Sequence, residues 1–200
     1  MKPLTTMLTR KTLRAVVTVA LLLVAIPAAQ AQSAPSAERL ELCSSCHGAG
    51  GNSKTEKIPS IAGQPEFFLL NSLVLIREGV RNVEPMAPFM KDMKDDEIQA
   101  LATYFAAQKP ERTDEPIDQA QARRGAELVD PRHCTSCHTP NLTGEQTAPR
   151  IAGQRLDYLI DAITAFRDSR RTGGDPLMSE AAQGLSDADI VALANYAASK

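Results

Sequence analysis

The chain's entire thiol complement, four cysteines in 200 residues, comes as two Cys-x-x-Cys-His runs. Cys43, Cys46 and His47 lie in ELCSSCH, and Cys134, Cys137 and His138 lie in RHCTSCH. Two thiols at this spacing serve as a redox dithiol, as half of a zinc site, or as the attachment point of a covalent haem. A thioredoxin-like dithiol follows a strand in a βαβ pattern, and the sequence has no such pattern. A zinc cluster joining the two pairs is geometrically conceivable, but it leaves the histidine that follows each pair without a role. Covalent haem uses every residue. Two thiols on one helical turn form thioethers with the two vinyl groups of a porphyrin, and the next residue falls under the iron as its proximal ligand.

Each iron then needs a ligand on its other face. The only histidines are His47, His133 and His138, so two bis-histidine haems are impossible, and His133 is tied to the proximal side by its neighbour Cys134. Methionine remains. Of Met86, Met90 and Met93, only Met86 has a partner in the second half, Met178; positions 90 and 93 correspond to Ala182 and Leu185 and read as packing.

That correspondence belongs to a duplication. Cys43 matches Cys134 at an offset of 91, IPSIAGQ (58–64) matches APRIAGQ (148–154) at 90, and Met86, Ile98 and Tyr104 match Met178, Ile190 and Tyr196 at 92. Near-constant offsets mean two copies of one module. Both copies read as short helices without strands. Apolar residues recur at three and four in PEFFLLNSLVLIREG and RLDYLIDAITAFRDS, and again in DDEIQALATYFAAQ and SDADIVALANYAAS, which open on acidic or serine first turns. A further helix is expected ahead of each cysteine pair, in AERLELCSSCH and QARRGAELV. The Gly- and Pro-rich stretches between histidine and methionine are expected to be loops outside the central helix. Phe67, Phe68, Tyr158 and Phe166 read as core, and Tyr104 and Tyr196 as core or haem-edge packing.

The first 31 residues have the layout of a secretory signal peptide. Lys2, Arg10, Lys11 and Arg14 form a basic leader, Ala15 to Ile26 is an uncharged, mostly apolar run, and Ala29-Gln30-Ala31 is an A-x-A cleavage site. The run is short of the roughly 20 apolar residues of a spanning helix. The expected organisation is therefore a leader (1–31), a first domain (32–109), a linker (110–119) and a second domain (120–200). Removing a leader with four basic and no acidic residues takes the formal charge from -2 to -6. No basic surface for nucleic acid follows from that balance. Export points to a bacterial periplasm, where unpartnered cysteines are a liability.

Taken together, the motifs resemble the dihaem class I cytochromes c of the cytochrome c4 type over essentially the whole mature chain. The resemblance rests on two CxxCH modules of about 90 residues, with P-x-I-A-G-Q beginning sixteen and fifteen residues after the first cysteine. A Met then lies seven residues before MKDDEI or LSDADI. It implies an all-α protein of two tandem class I cytochrome c domains, each a small helical fold wrapped around one of two covalently bound haem c groups. It implies that Cys43, Cys46, His47 and Met86 hold haem one, and that Cys134, Cys137, His138 and Met178 hold haem two. The carbonyls of Pro59 and Pro149 would accept the proximal imidazole N–H. Two departures stand out. Only eleven positions separate Gln32 from Cys43, so the first helix is expected to be abbreviated, and GVRNVEPM is short ahead of Met86.

Iron with His on one face and Met on the other has no open position, so the expected act is one-electron transfer rather than catalysis. The expected donors are a quinol-oxidising complex or a dehydrogenase, and the expected acceptors a terminal oxidase or a reductase, with peripheral membrane association left open. The alternative is the haem-bearing subunit of a periplasmic dehydrogenase such as flavocytochrome c sulfide dehydrogenase. Peroxidase chemistry requires a haem without its Met. Arg167, Arg170 and Arg171 read as a solvated helix end, or else as a docking patch or a clamp on propionates. Replacing Met178 by Ala is expected to leave both haems attached and to open one of them to carbon monoxide, read as a Soret shift of the reduced protein; no new carbon monoxide complex would reject Met178 as ligand.

Overall fold

The computed structural model describes residues 34–200; the leader lies outside the described residues. Among the described residues there are nine α-helices and, apart from one isolated bridge between Glu145 and Ala148, no β structure. The first copy contributes α1 (Ala37–His47), α2 (Glu66–Arg77), α3 (Ala87–Met90) and α4 (Asp95–Ala106). The second contributes α5 (Gln119–Val129), α6 (Cys134–His138), α7 (Leu156–Arg167), α8 (Pro176–Ala182) and α9 (Asp187–Ala198).

The periodic segments form helices where the sequence places them, and local chemistry sets their ends. Ser36 accepts from the Arg39 N–H at the start of α1. Asp118 accepts from Ala120 and Gln121 at the start of α5, and Ser186 and Asp189 form a capping box on α9. Two short helices add to the expected elements, α3 just after Met86 and α8 across Met178. α3 and α8 each carry a proline in the first turn, where its missing N–H costs nothing. A stretch this short shows too little apolar periodicity to be recognised.

Each copy has its own core. In the first, Leu69, Ile76, Met90, Met93, Ile98, Leu101 and Phe105 are buried together, with Phe68 and Tyr104 against them. In the second, Val129, Leu142, Leu159, Leu185, Ile190 and Leu193 do the same, with Phe166 and Tyr196 alongside. Phe67 is a correction: it is 53% exposed, because on α2 it falls on the face turned away from α4 while Phe68 and Leu69 turn inward.

The copies differ in their first helix. α5 and α9 form the largest helix contact among the described residues, and they approach closely because Gly125 has no side chain. A Cβ there would run into the Ala192 carbonyl and lie 2.7 Å from Tyr196 Cβ. In the first copy the position nine residues before the leading cysteine is Ala34, which precedes the helix. α1 instead runs straight through the CxxCH turn, and it meets α4 through Leu40 and an Arg39–Glu97 ion pair of 3.3 Å.

The segment between the copies is extended but firmly tied. Asn52 brackets it, donating to the Lys109 carbonyl and accepting from the Glu111 N–H. The Thr113 N–H bonds the Gly153 carbonyl, and Glu115 accepts from the Leu156 and Asp157 N–H groups, capping α7. α5 begins at Gln119, the last residue of the expected linker.

Gly125→Ala tests the helix crossing. The substitution gains about 1 kcal/mol of helix propensity, but the clash is with backbone, so a net loss of about 1–3 kcal/mol is expected. Thermal unfolding should show it as a fall of roughly 2–4 °C per kcal/mol; an unchanged midpoint would mean the helices are free to separate.

Candidate haem sites and the junction between modules

Both histidines of the CxxCH runs end their helix, are buried to 8% exposure, and point Nδ1 at a carbonyl oxygen. His47 Nδ1 lies 2.8 Å from the Pro59 oxygen, and His138 Nδ1 lies 2.8 Å from the Pro149 oxygen. A carbonyl only accepts, so Nδ1 carries the proton and Nε2 keeps its lone pair for a metal. Burial pushes both imidazoles below their ordinary pKa, against the opposing pull of the proline carbonyls.

The thiols fit attachment better than the other two readings. Burial pushes the Cys43 and Cys134 thiols up, the reverse of the lowered pKa that a redox dithiol requires. Cys46 and Cys137 are exposed. Among the described residues no three Cys, His, Asp or Glu side chains gather as a metal cluster, so the two cysteine pairs do not converge on one ion. Two thiols for thioether attachment and one imidazole nitrogen for the iron, in each copy, suit a covalently bound haem.

Met86 and Cys43 border the same apolar cluster, with Met86 at the N-cap of α3. Met178 is half-buried inside α8, which packs on α7. Met90 and Met93 are 3% and 4% exposed in the core. The arginine cluster splits. Arg167 pairs with Asp168 and Asp187 and closes the end of α7, Arg170 reaches Asp168 at the surface, and Arg171 turns inward over the Phe166 ring.

The surface where the copies meet is built from equivalent residues. Gln64 Nε2 donates to the Arg150 carbonyl at 2.8 Å, and Gln64 Oε1 accepts from the Arg150 N–H at 2.9 Å. In the opposite direction, Gln154 Nε2 donates to the Ser60 carbonyl and Gln154 Oε1 accepts from the Ser60 N–H, both at 2.8 Å. Gln64 and Gln154 are the last letters of the two IAGQ runs, and Ser60 and Arg150 are likewise equivalent, so the contact has the self-complementary form of a two-fold interface. Asp157 adds a further link, accepting from the Lys57 N–H at 2.9 Å while Lys57 Nζ lies 3.5 Å from Asp161.

Arg81 and Arg171, another equivalent pair, flank Tyr158. Arg171 donates to the Tyr158 hydroxyl at 3.4 Å, and Arg81 donates to Ser72. Burial and the neighbouring Arg171 charge push the Arg81 guanidinium down; burial works against ionisation of Tyr158, but the two guanidiniums outweigh it and pull the phenol down. Neither arginine joins an ion pair among the described residues, so the junction holds a positive potential that suits an acidic group. The sequence marks the two glutamines as equivalent but gives them no role, and it does not single out Arg81, whose recurrence as Arg171 at an offset of 90 is the signal that could find it.

Comparison with known proteins agrees with this geometry. Residues 122–199 match the family described as Cytochrome c, and residues 33–105 match the one described as Cytochrome C oxidase, cbb3-type, subunit III. Cytochrome c4 of Pseudomonas aeruginosa is 35% identical over 164 residues, spanning 78% of this chain and 82% of the relative. A thiosulfate dehydrogenase electron acceptor of Thiomonas intermedia is 32% identical over 170 residues, spanning 79% and 78%. The crystal structure of reduced cytochrome c4 from Pseudomonas stutzeri superimposes with a TM-score of 0.73 at 32% identity, covering 82% of this chain and 98% of that one. Two helical modules, each with a CxxCH turn and a locked imidazole, define a dihaem electron-transfer cytochrome c. The chain belongs to the cytochrome c4 family, carries two covalently bound haem c groups, and is an electron carrier rather than an enzyme.

Asp157 makes the junction sensitive to acid. Burial opposes its ionisation, but the Arg155 guanidinium and the Lys57 and Tyr158 N–H groups outweigh burial and hold the carboxyl below its ordinary range. A depressed folded-state pKa contributes stability above the unfolded value, about 3.9, that is lost as pH falls through the folded value. The wild type should therefore be more heat-stable than Asp157→Asn at about pH 6, with the difference closing as the pH falls below the ordinary carboxylate range; a gap independent of pH would reject an ionic role.

Proposed function

We propose that the chain is a periplasmic electron shuttle in which Cys43 and Cys46 anchor one haem between His47 and Met86. Cys134 and Cys137 anchor the other between His138 and Met178. The working units are residues 32–109 and 120–200, joined by 110–119, after removal of a leader ending at Ala31. The observation that carries the reading is the pair of His–Pro bonds, one per module, each leaving Nε2 free for iron. Haem ligated by His and Met exchanges one electron and has no open position for substrate. The protein's part is to fix the imidazole, surround the site with apolar side chains, and supply positive potential from Arg81 and Arg171 for the acidic propionates. Electrons would enter from a quinol-oxidising complex or a dehydrogenase and leave to a terminal oxidase or a reductase in the respiratory chain. None of the described helices is long and apolar enough to cross a membrane.

A second reading, service to one dehydrogenase as its dedicated acceptor, is favoured by the likeness to the Thiomonas intermedia protein. Intact mass and a pyridine haemochrome count on protein matured by the cytochrome c assembly machinery should give two haems on a chain beginning at Gln32. Spectroelectrochemistry should then give two one-electron steps and a sulfur-to-iron charge-transfer band in the oxidised state. A high-spin haem of low potential would reject paired His–Met ligation. Rapid reduction by a single purified dehydrogenase, with none by a quinol-oxidising complex, would select the second reading.

A further inference from the structure

The reciprocal glutamines reach further than the junction. The peptide unit between Pro59 and Ser60 offers its carbonyl to His47 at 2.8 Å and its N–H to Gln154 Oε1 at 2.8 Å. The unit between Pro149 and Arg150 offers its carbonyl to His138 at 2.8 Å and its N–H to Gln64 Oε1 at 2.9 Å. One amide group thus joins the imidazole of each module to a carboxamide of the other. The two bonds reinforce each other, because drawing on the N–H polarises the amide and makes its oxygen a stronger acceptor. The carboxamides have no freedom to turn away. Each is held at its other end by Nε2, both glutamines are 5% exposed, and Gln154 Oε1 also accepts from the Arg155 N–H.

We infer that Gln154 and Gln64 are positioning residues that act crosswise, Gln154 setting the potential of the haem on His47 and Gln64 that of the haem on His138. The inference rests on the assignment of these histidines as proximal ligands. A stronger acceptor at Nδ1 makes the imidazole a more basic ligand, which favours ferric iron and lowers the potential. Loss of the distant carboxamide weakens that acceptor, so the potential of the haem in the other module rises.

The test uses the full, matured dihaem protein and two variants, Gln154→Leu and Gln64→Leu. In Gln154→Leu the haem on His47 should shift toward the ferrous state by about threefold in its redox equilibrium, ~28 mV at ~59 mV per tenfold for one electron. The haem on His138 should move far less, and Gln64→Leu should reverse the pattern. Nuclear magnetic resonance of the reduced protein assigns each shift, since the imidazole Nδ1–H signal should move only for the haem whose potential moves. Equal shifts, shifts confined to the substituted module, or none would overturn the inference. Should a leucine variant fail to mature, Gln154→Asn and Gln64→Asn withdraw the carboxamide by one carbon and should give the same crossed pattern. A wild type without two covalent haems would fail at the earlier step, removing the ligand assignment itself.

Discussion

Each CxxCH imidazole is aimed by a carbonyl held in place, and the rest of the module is arranged to keep it still. In the first copy the residues after Pro59 are tied one by one. Ser60 is gripped by Gln154, the Ile61 and Ala62 N–H groups fork onto the Gly51 carbonyl, and the Gly63 N–H bonds the Phe105 carbonyl at the end of α4. The second copy repeats the scheme, with Ile151 and Ala152 on Leu142 and Gly153 on Ala197. Gly63 and Gly153 adopt φ of 61° and 69°, a conformation that glycine enters without steric cost. A single turn therefore relates the CxxCH turn, the last helix and the other module to one another. Each bond contributes only about 1 kcal/mol net, but together they fix a geometry that no single contact could.

Much of this was legible because the chain is written twice. The CxxCH runs, the repeat and the long helices are visible in one dimension, since cysteine spacing and apolar periodicity are local properties. What the IAGQ run does is not local. Its glutamine looks like an ordinary polar residue until the partner module is in place, and Arg81 looks like a loop charge until Arg171 and Tyr158 close around it. Phe67 misled for a related reason: a helix with apolar residues on most of its face does not say which of them will be covered. The short helices α3 and α8 fall below the length at which periodicity speaks.

The junction also constrains how the sequence can change. Because each glutamine reads only the backbone of Ser60 or Arg150, the glutamine contacts do not dictate the side chains at those two positions, and these differ, as serine and arginine. The glutamines have no such freedom. Losing one leaves a backbone N–H and carbonyl of the other copy without partners, at a cost of about 1–3 kcal/mol for a buried group.

The unequal first helices carry a consequence for how the two modules hold together. In the second copy α5 closes on α9 at Gly125, a contact made by protein alone. The first copy has only six helical residues before its leading cysteine, and its two chain ends meet through Leu40 and one ion pair. Its terminal helices are therefore joined by side chains alone, without the close backbone approach of the second copy. The duplication has kept the turn that aims the imidazole while letting the terminal helices close in two ways, backbone against backbone in one copy and through side chains at the CxxCH helix in the other.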